Sequence, residues 1–85
     1  MRLEFTRLQR LAEIEIRAAG DAGLTADELA ARVDLPRWSM QPRTTELRRK
    51  GFIRDSGLRR QNVTGKRAIV WVAAIRDDAP NPAVG

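Results

Sequence analysis

Cysteine and histidine are both absent from the 85-residue chain. Their absence excludes disulfide bonds, thiol nucleophiles, cysteine–histidine metal sites and histidine as a general base. No apolar run approaches the roughly 20 residues that a membrane-spanning helix needs. The stretch "TGKR" at 64–67 lacks the upstream glycine of a phosphate-binding loop. The sequence therefore predicts a non-enzymatic, cytoplasmic protein with no catalytic residue, no cofactor, no metal site and no membrane contact.

Positive charge is concentrated in one segment, which we call the basic block. Residues 37–67 contain ten of the sixteen Lys and Arg residues but two acids, Glu46 and Asp55, for a net charge of +8. The other residues contain six Lys or Arg and nine acids, a net charge of −3, and the two values sum to the +5 of the whole chain. Charge that serves solubility alone is usually mixed in sign. The basic block therefore predicts a polyanionic partner, with nucleic acid favoured over an acidic membrane.

Apolar spacing predicts two helices in the first part of the chain. Residues recurring at steps of about three and four indicate an amphipathic helix over Thr6–Ala19, ended by Gly20. The apolar residues are Leu3, Leu8, Leu11, Ile14 and Ala18. In the next segment Thr25 is expected to be an N-cap, with Glu28 three residues later completing a capping box. The second helix is therefore predicted near Ala26–Val33.

A third helix is predicted between Pro36 and Gly51. Ser39 is the expected N-cap, which would place Pro42 in the first turn, where its missing N–H costs little. One face is expected to be buried, formed by Met40, Thr44 and Leu47. The opposite face is expected to be exposed, formed by Gln41, Thr45 and Arg48, with Arg43 and Arg49 flanking it.

The last part of the chain is predicted to form a β-hairpin. "FIRDSG" after Gly51 and the later "AIVWVAA" have the composition of strands. The segment between them, "LRRQNVTGKR", is predicted to form a long basic tip with Gly65 as its turn residue. Leu29, Val33, Leu47, Ile53 and Ile69 are predicted core residues. Residues 1–76 are predicted to form one domain, and residues 77–85 a disordered tail.

The order helix, helix, turn, helix, basic hairpin resembles the winged helix-turn-helix superfamily over roughly Leu3–Ala74. The resemblance is carried by "T-x-x-E-L-A" at 25–30 and "E-L-x-x-x-G-x-I" at 46–53. The later "TGKRAIVWVA" is similar to the second wing strand of small winged-helix proteins of phages and prophages. The implied fold class is α+β, mainly α, with three helices and a C-terminal β-hairpin wing.

The resemblance implies that the third helix, about Met40–Lys50, lies in the major groove of double-stranded DNA. The wing, about Arg59–Arg67, would contact the backbone or the minor groove. Such a protein would act near the nucleoid as a transcriptional regulator or architectural factor. The implied DNA-binding residues are Trp38, Gln41, Arg43, Thr45, Arg48, Arg49, Arg59, Arg60, Gln61, Lys66 and Arg67.

Individual roles follow from side-chain chemistry. Gln41 can pair with adenine, and Arg43 with guanine. Trp38 has two interpretations: it stacks on a sugar or base, or it covers the end of the core, and packing is the commoner role of an aromatic at that position. Trp71 is expected in the core or supporting the hairpin.

Other functions stay open at this point. The same fold class also contains protein-interaction modules, and a positive face suits an acidic protein partner. RNA binding is a weaker alternative, because no pair of aromatic residues is placed to stack bases on an exposed sheet. A homodimer is a further alternative, and its surface would be the wing strand or the first helix with Leu3, Phe5, Leu8 and Leu11. The target DNA sequence and the sign of any regulation do not follow from the sequence.

Overall fold

The computed structural model describes residues 6–74, where three α-helices precede a two-stranded antiparallel hairpin. The elements are α1 (Arg7–Ala19), a short 3-10 turn (Gly20–Ala22), α2 (Ala26–Val33), α3 (Arg37–Lys50), β1 (Ile53–Gln61) and β2 (Arg67–Ala73). This is a winged helix-turn-helix, and the predicted fold class is confirmed. The predicted tail at 77–85 lies outside the described residues, as do Leu3 and Phe5.

The first two helices begin at capping boxes. Thr6 caps α1, with Gln9 returning a side-chain bond to the Thr6 N–H, and Thr25 with Glu28 does the same for α2. Each box satisfies two backbone N–H groups that a helix start otherwise leaves without a partner. The predicted box and bounds of α2 are both confirmed. Asp34 ends α2 in the left-handed conformation, with φ of 59°.

The face that α1 turns to the core coincides only in part with the apolar series of the sequence, of which Leu8 packs against the core. The buried residues are Gln9, Ala12 and Ile16, whereas Ile14 is 48% exposed. Small Ala12 permits close packing, and Gln9 is tolerated inside because its side chain hydrogen-bonds to α3. Apolar side chains lie on both sides of this helix, so spacing alone did not identify the buried side.

The core lies between the helices and the inner face of the hairpin. Its largest fully buried side chains are Ile16, Leu29, Met40, Leu47 and Val70. Of the predicted core residues, Leu29, Leu47 and Ile53 are buried, and Val33 and Ile69 pack partly buried against them. Trp71 is also buried, as expected. Its backbone exchanges hydrogen bonds of 2.8 and 2.9 Å with Leu24, which extends the sheet by one bridge.

The predicted start of α3 is wrong. The helix begins at Arg37 with Pro36 as its N-cap, three residues before the position that a Ser39 cap would give. Pro36 provides the extended N-cap conformation, with φ of −69° and ψ of 151°, but has no side chain that could bond to the helix. Pro42 consequently lies inside the helix, where a proline typically costs about 3 kcal/mol.

The predicted length of the hairpin tip is also wrong. β1 continues through Arg59, Arg60 and Gln61, which pair with Ile69, Ala68 and Arg67 of β2. An irregularity between Asp55 and Arg59 interrupts the ladder, and Gly57 adopts a φ of 89° there. The bulge accommodates the polar "DSGL" stretch without ending the strand. The connection between the strands is therefore short, at 62–66, and Arg59 and Arg60 lie in the paired strands next to it. We call the paired part of the hairpin up to Arg60 and Ala68 the base of the wing, and residues 61–67 its tip.

Candidate nucleic-acid interface

A groove of about 530 Å³ separates α3 from the wing. Its α3 side is lined by Arg37, Gln41 and Thr45. Its wing side is lined by Asn62, Lys66 and Arg67. The groove therefore has hydrogen-bond donors and positive charge on both walls, which suits a strand of linked phosphates.

The exposed side of α3 carries five of the predicted DNA-binding residues. Trp38, Gln41, Thr45, Arg48 and Arg49 are all exposed, and Trp38 is 78% exposed. The opposite face, with Met40, Thr44 and Leu47, is buried as predicted. Trp38 therefore does not cover the end of the core, and that interpretation of its role is wrong.

Arg43 lies on the side of α3 that faces α1, away from Gln41. Its Nη2 donates to Glu46 Oε2 at 2.9 Å, and its Nε lies 2.7 Å from Glu46 Oε1 in a geometry too bent for a hydrogen bond. Gln9 donates to the same carboxylate at 2.8 Å and accepts from Lys50 Nζ at 3.0 Å. The Gln9 hydrogen bond, followed by that of Arg43, lowers the pKa of Glu46 despite partial desolvation. This network ties α3 to α1 and occupies the guanidinium expected to read guanine.

Arg60 joins the base of the wing to the rest of the domain. Its Nε and Nη2 donate to the two oxygens of Glu28 at 3.0 and 2.7 Å. Its Nη1 and Nη2 also donate to the carbonyls of Ala22 and Gly23 at 3.2 and 3.1 Å. The Arg60 hydrogen bond, with help from the Thr25 N–H, lowers the pKa of Glu28 although desolvation opposes the shift. Arg60 is thus engaged on all three guanidinium nitrogens.

Arg59 is held within its own strand. Its Nη1 and Nη2 donate to the two oxygens of Asp55 at 2.9 and 3.0 Å across the bulge. Asp55 also accepts from the Gly57 N–H at 2.8 Å. These two contacts, the Arg59 bond first, lower the pKa of Asp55. The bulge therefore places a carboxylate beside an arginine that the sequence assigned to a free tip.

The wing tip is organised by one asparagine. The Asn62 side-chain oxygen accepts from the Thr64 N–H, the Thr64 hydroxyl and the Lys66 N–H at 3.0, 2.6 and 3.1 Å. The Gly65 N–H donates to the Asn62 carbonyl at 2.9 Å, and Gly65 takes a φ of 87°. Val63 stands at the apex and is 95% exposed.

The ten cations of the basic block divide into two groups within residues 6–74. Four form ion pairs with acids, and Lys50 bonds to Gln9. The paired four are Arg37, Arg43, Arg59 and Arg60. The other five make no side-chain hydrogen bond or ion pair within the described chain, and they are Arg48, Arg49, Arg54, Lys66 and Arg67. These five cations are the ones available to a partner.

Two positions at this interface were not among the predicted DNA-binding residues. Arg37 lines the groove and is paired with Asp27 at 2.8 Å, and Arg54 is exposed on β1. Arg37 lies four residues before Gln41 and therefore shares its face of α3. A helix predicted to start after Pro36 would have indicated Arg37 as a further binding residue. Gln61 is exposed at the end of β1, as the prediction requires.

Other kinds of site are not seen in the described residues. Within residues 6–74, no three His, Cys, Asp or Glu side chains cluster in a way that could hold a metal ion. None of the helices there has the length and apolar character needed to cross a membrane.

Comparison with known proteins supports the fold. No protein-family profile and no curated protein sequence matches the chain. Among solved structures, the crystal structure of the transcriptional regulator SlyA is similar, with a TM-score of 0.62 and 20% sequence identity. The match covers 84% of this chain and 46% of that protein. The chain has the winged-helix fold, and it spans about half the length of the regulator that it matches.

Proposed function

We propose that the protein binds double-stranded DNA as a transcriptional regulator or architectural factor of the small phage or prophage type. In this proposal α3 enters the major groove and the wing lies on the backbone or minor groove. The main support for this proposal is that five cations on α3 and the hairpin make no ion pair within residues 6–74. Unpaired like charges repel one another, and a polyanion relieves that repulsion while releasing its own counterions.

The shape of the charged surface supports a duplex as the partner. Arg48 and Arg49 are on α3, while Lys66 and Arg67 are at the wing, and the polar groove lies between these elements. A phosphodiester strand passing between a helix in the major groove and a hairpin at the minor groove meets both walls. The described surface has no pair of exposed aromatic side chains on the sheet, which is the usual platform for single-stranded RNA.

The structural neighbour supports the regulatory part of the proposal. The matched protein is described as a transcriptional regulator, and the segment shared with this chain is the winged helix. A helix-turn-helix scaffold places the start of its second helix against base edges. In this chain that position carries Trp38 and Gln41, both exposed.

The test is fluorescence anisotropy with a labelled random duplex of about 25 base pairs over a series of salt concentrations. We expect affinity to fall steeply with salt, and Arg67→Ala to reduce the slope of log K against log salt by about 1. Arg59→Ala is the matched control, because it removes the same charge from the same hairpin but from an existing ion pair. It should change the slope by less than half as much.

The salt series can contradict the proposal in two ways. One is the absence of duplex binding at low salt, which would favour an acidic protein partner. The other is an equal effect of Arg59→Ala and Arg67→Ala, since the division into paired and unpaired cations would then have no bearing on binding. Competition with hairpin RNA completes the experiment, and stronger binding of the RNA would also reject the duplex as the preferred partner.

A further inference from the structure

The side of α3 opposite the core has an apolar part. Trp38, Pro42, Thr45 and Arg49 follow one another at steps of four, three and four residues, so they share the face directed away from the buried Met40 and Leu47. All four are exposed, and Trp38 at 78% is the most exposed aromatic side chain of the described chain. In a helix lying in a groove, this is the face that goes deepest.

Only one base offers an apolar group in the major groove, and that is thymine through its C5-methyl. Its partner adenine offers an N6 amine as donor in the same base pair. The exposed indole of Trp38 matches the methyl group, whereas a phosphate offers no apolar group. Gln41, one helical step from Trp38 on the groove side, has the side chain that pairs with adenine.

We propose that Trp38 is a specificity-determining residue that contacts a thymine methyl and directs α3 to A·T pairs. This inference rests on the proposed function, because it requires α3 to lie in the major groove of a duplex. It names a class of sequence as the preferred ligand: duplex DNA with thymine under the first turn of α3.

The experiment compares three duplexes of about 25 base pairs with identical flanks and centres of A·T, A·U or G·C pairs. Replacing thymine with deoxyuridine removes the methyl and leaves the phosphates and the minor-groove pattern unchanged. We expect the native protein to bind the thymine duplex about fourfold more tightly than the uracil duplex for each methyl contacted. The G·C duplex should bind no better than the uracil duplex.

The variants are Trp38→Ala, Trp38→Phe and Val63→Ala. Trp38→Ala should bind the thymine and uracil duplexes equally, and Trp38→Phe should keep most of the preference. Val63→Ala is the matched control, because it truncates another highly exposed apolar side chain, at the wing tip. It should weaken both duplexes by the same factor. Thermal unfolding checks that the exposed substitutions leave the fold intact.

The two proposals fail in different ways. If the native protein binds all duplexes with the expected salt dependence but without a thymine preference, the role of Trp38 is wrong and DNA binding stands. A preference that survives in Trp38→Ala also rejects the role. If no duplex binds at low salt, the proposed function itself fails.

Discussion

The base and the tip of the wing carry arginine and lysine at similar density but differ in what those cations do. At the base, Arg59 and Arg60 each hold a carboxylate through two hydrogen bonds. At the tip, the side chains of Lys66 and Arg67 have no partner within the described residues. Two arginines therefore fix the hairpin at its base, whereas the two cations of the tip, like Arg54 of β1, stay available.

The difference arises from where the acids lie. Glu28 is on α2, which packs close to the base of the hairpin, and Asp55 precedes the bulge. The cations of the tip form no ion pair with an acid of the described chain, and its own turn is closed by a neutral side chain, that of Asn62. A count of charges along the sequence overstates the available charge, because ion pairs use part of it.

The largest effect should come from Gly23, which packs against the base of the wing. Gly23 has a φ of 65°, and an added Cβ would lie 2.5 Å from the Trp71 carbonyl oxygen and 2.7 Å from Val70 Cγ1. Gly23→Ala should therefore lower the free energy of unfolding by about 2–5 kcal/mol, measured by urea denaturation.

The matched control is at the tip. Gly65 also has a positive φ, of 87°, but no atom lies within 4 Å of the position that an added Cβ would take. Gly65→Ala should lower the free energy of unfolding by about 1–2 kcal/mol, from backbone strain alone. Equal losses for the two variants would show that the base of the wing is not the tightly packed region described above.

A smaller effect should come from the ion pair at the base. The pKa of Glu28 is lowered in the folded state, so its ionised form stabilises the fold above the ordinary glutamate pKa of about 4.3. That stabilisation is lost as the pH falls from there through the lowered folded-state pKa. Glu28→Gln should lower the free energy of unfolding at neutral pH by about 1 kcal/mol, a small value because the pair is partly exposed. The variant should also lose less stability than the native protein as the pH falls.

The measurement is the urea midpoint of the native protein and the variant between pH 3 and pH 7, a range that spans the glutamate titration. Glu15→Gln serves as the control, because its ion pair with Arg32 spans 3.7 Å and should contribute less than about 0.5 kcal/mol. If the urea midpoint of Glu28→Gln falls at low pH as steeply as that of the native protein, the ion pair with Arg60 does not stabilise the base.

The helices show how far local sequence determines this fold. The bounds of α2 follow from Thr25, Glu28 and Pro36, because a capping box and a proline act within a few residues. The start of α3 did not follow, since Pro36 caps it by backbone conformation and leaves no side-chain signal. The buried face of α1 also stayed open in the sequence, because the choice between two apolar sides depends on which neighbour packs against the helix.

The wing shows what local sequence leaves open about the candidate site. "LRRQ" suits an exposed strand as well as a basic loop, so the length of β1 depended on its pairing with β2. Arg60 and Glu28 are 32 residues apart, and Arg43 meets Gln9 through Glu46 across the helix interface. The exposure of Gln41, Thr45 and Arg48 could be predicted from spacing. Which arginines are already paired depended on contacts between distant segments.

The smallest effect on global stability should come from Asn62, which organises the tip. Asn62→Ala removes an oxygen that accepts three hydrogen bonds, from Thr64 and Lys66. Because the tip is exposed and remote from the core, the free energy of unfolding should change by less than about 0.5 kcal/mol. Local opening should become easier, and hydrogen exchange at the Thr64 and Lys66 amides should accelerate at least about fivefold.

Asn62→Asp is the control for this effect, because a carboxylate oxygen can accept from the same two N–H groups and the hydroxyl. Exchange at both amides should then stay close to that of the native protein. If Asn62→Ala leaves exchange at the tip unchanged, the turn is held by its two backbone bonds alone, from the Gly65 N–H to Asn62 and from the Asn62 N–H to Lys66. If it instead lowers global stability as much as the base variants do, base and tip unfold as one unit and the distinction between them has no energetic meaning.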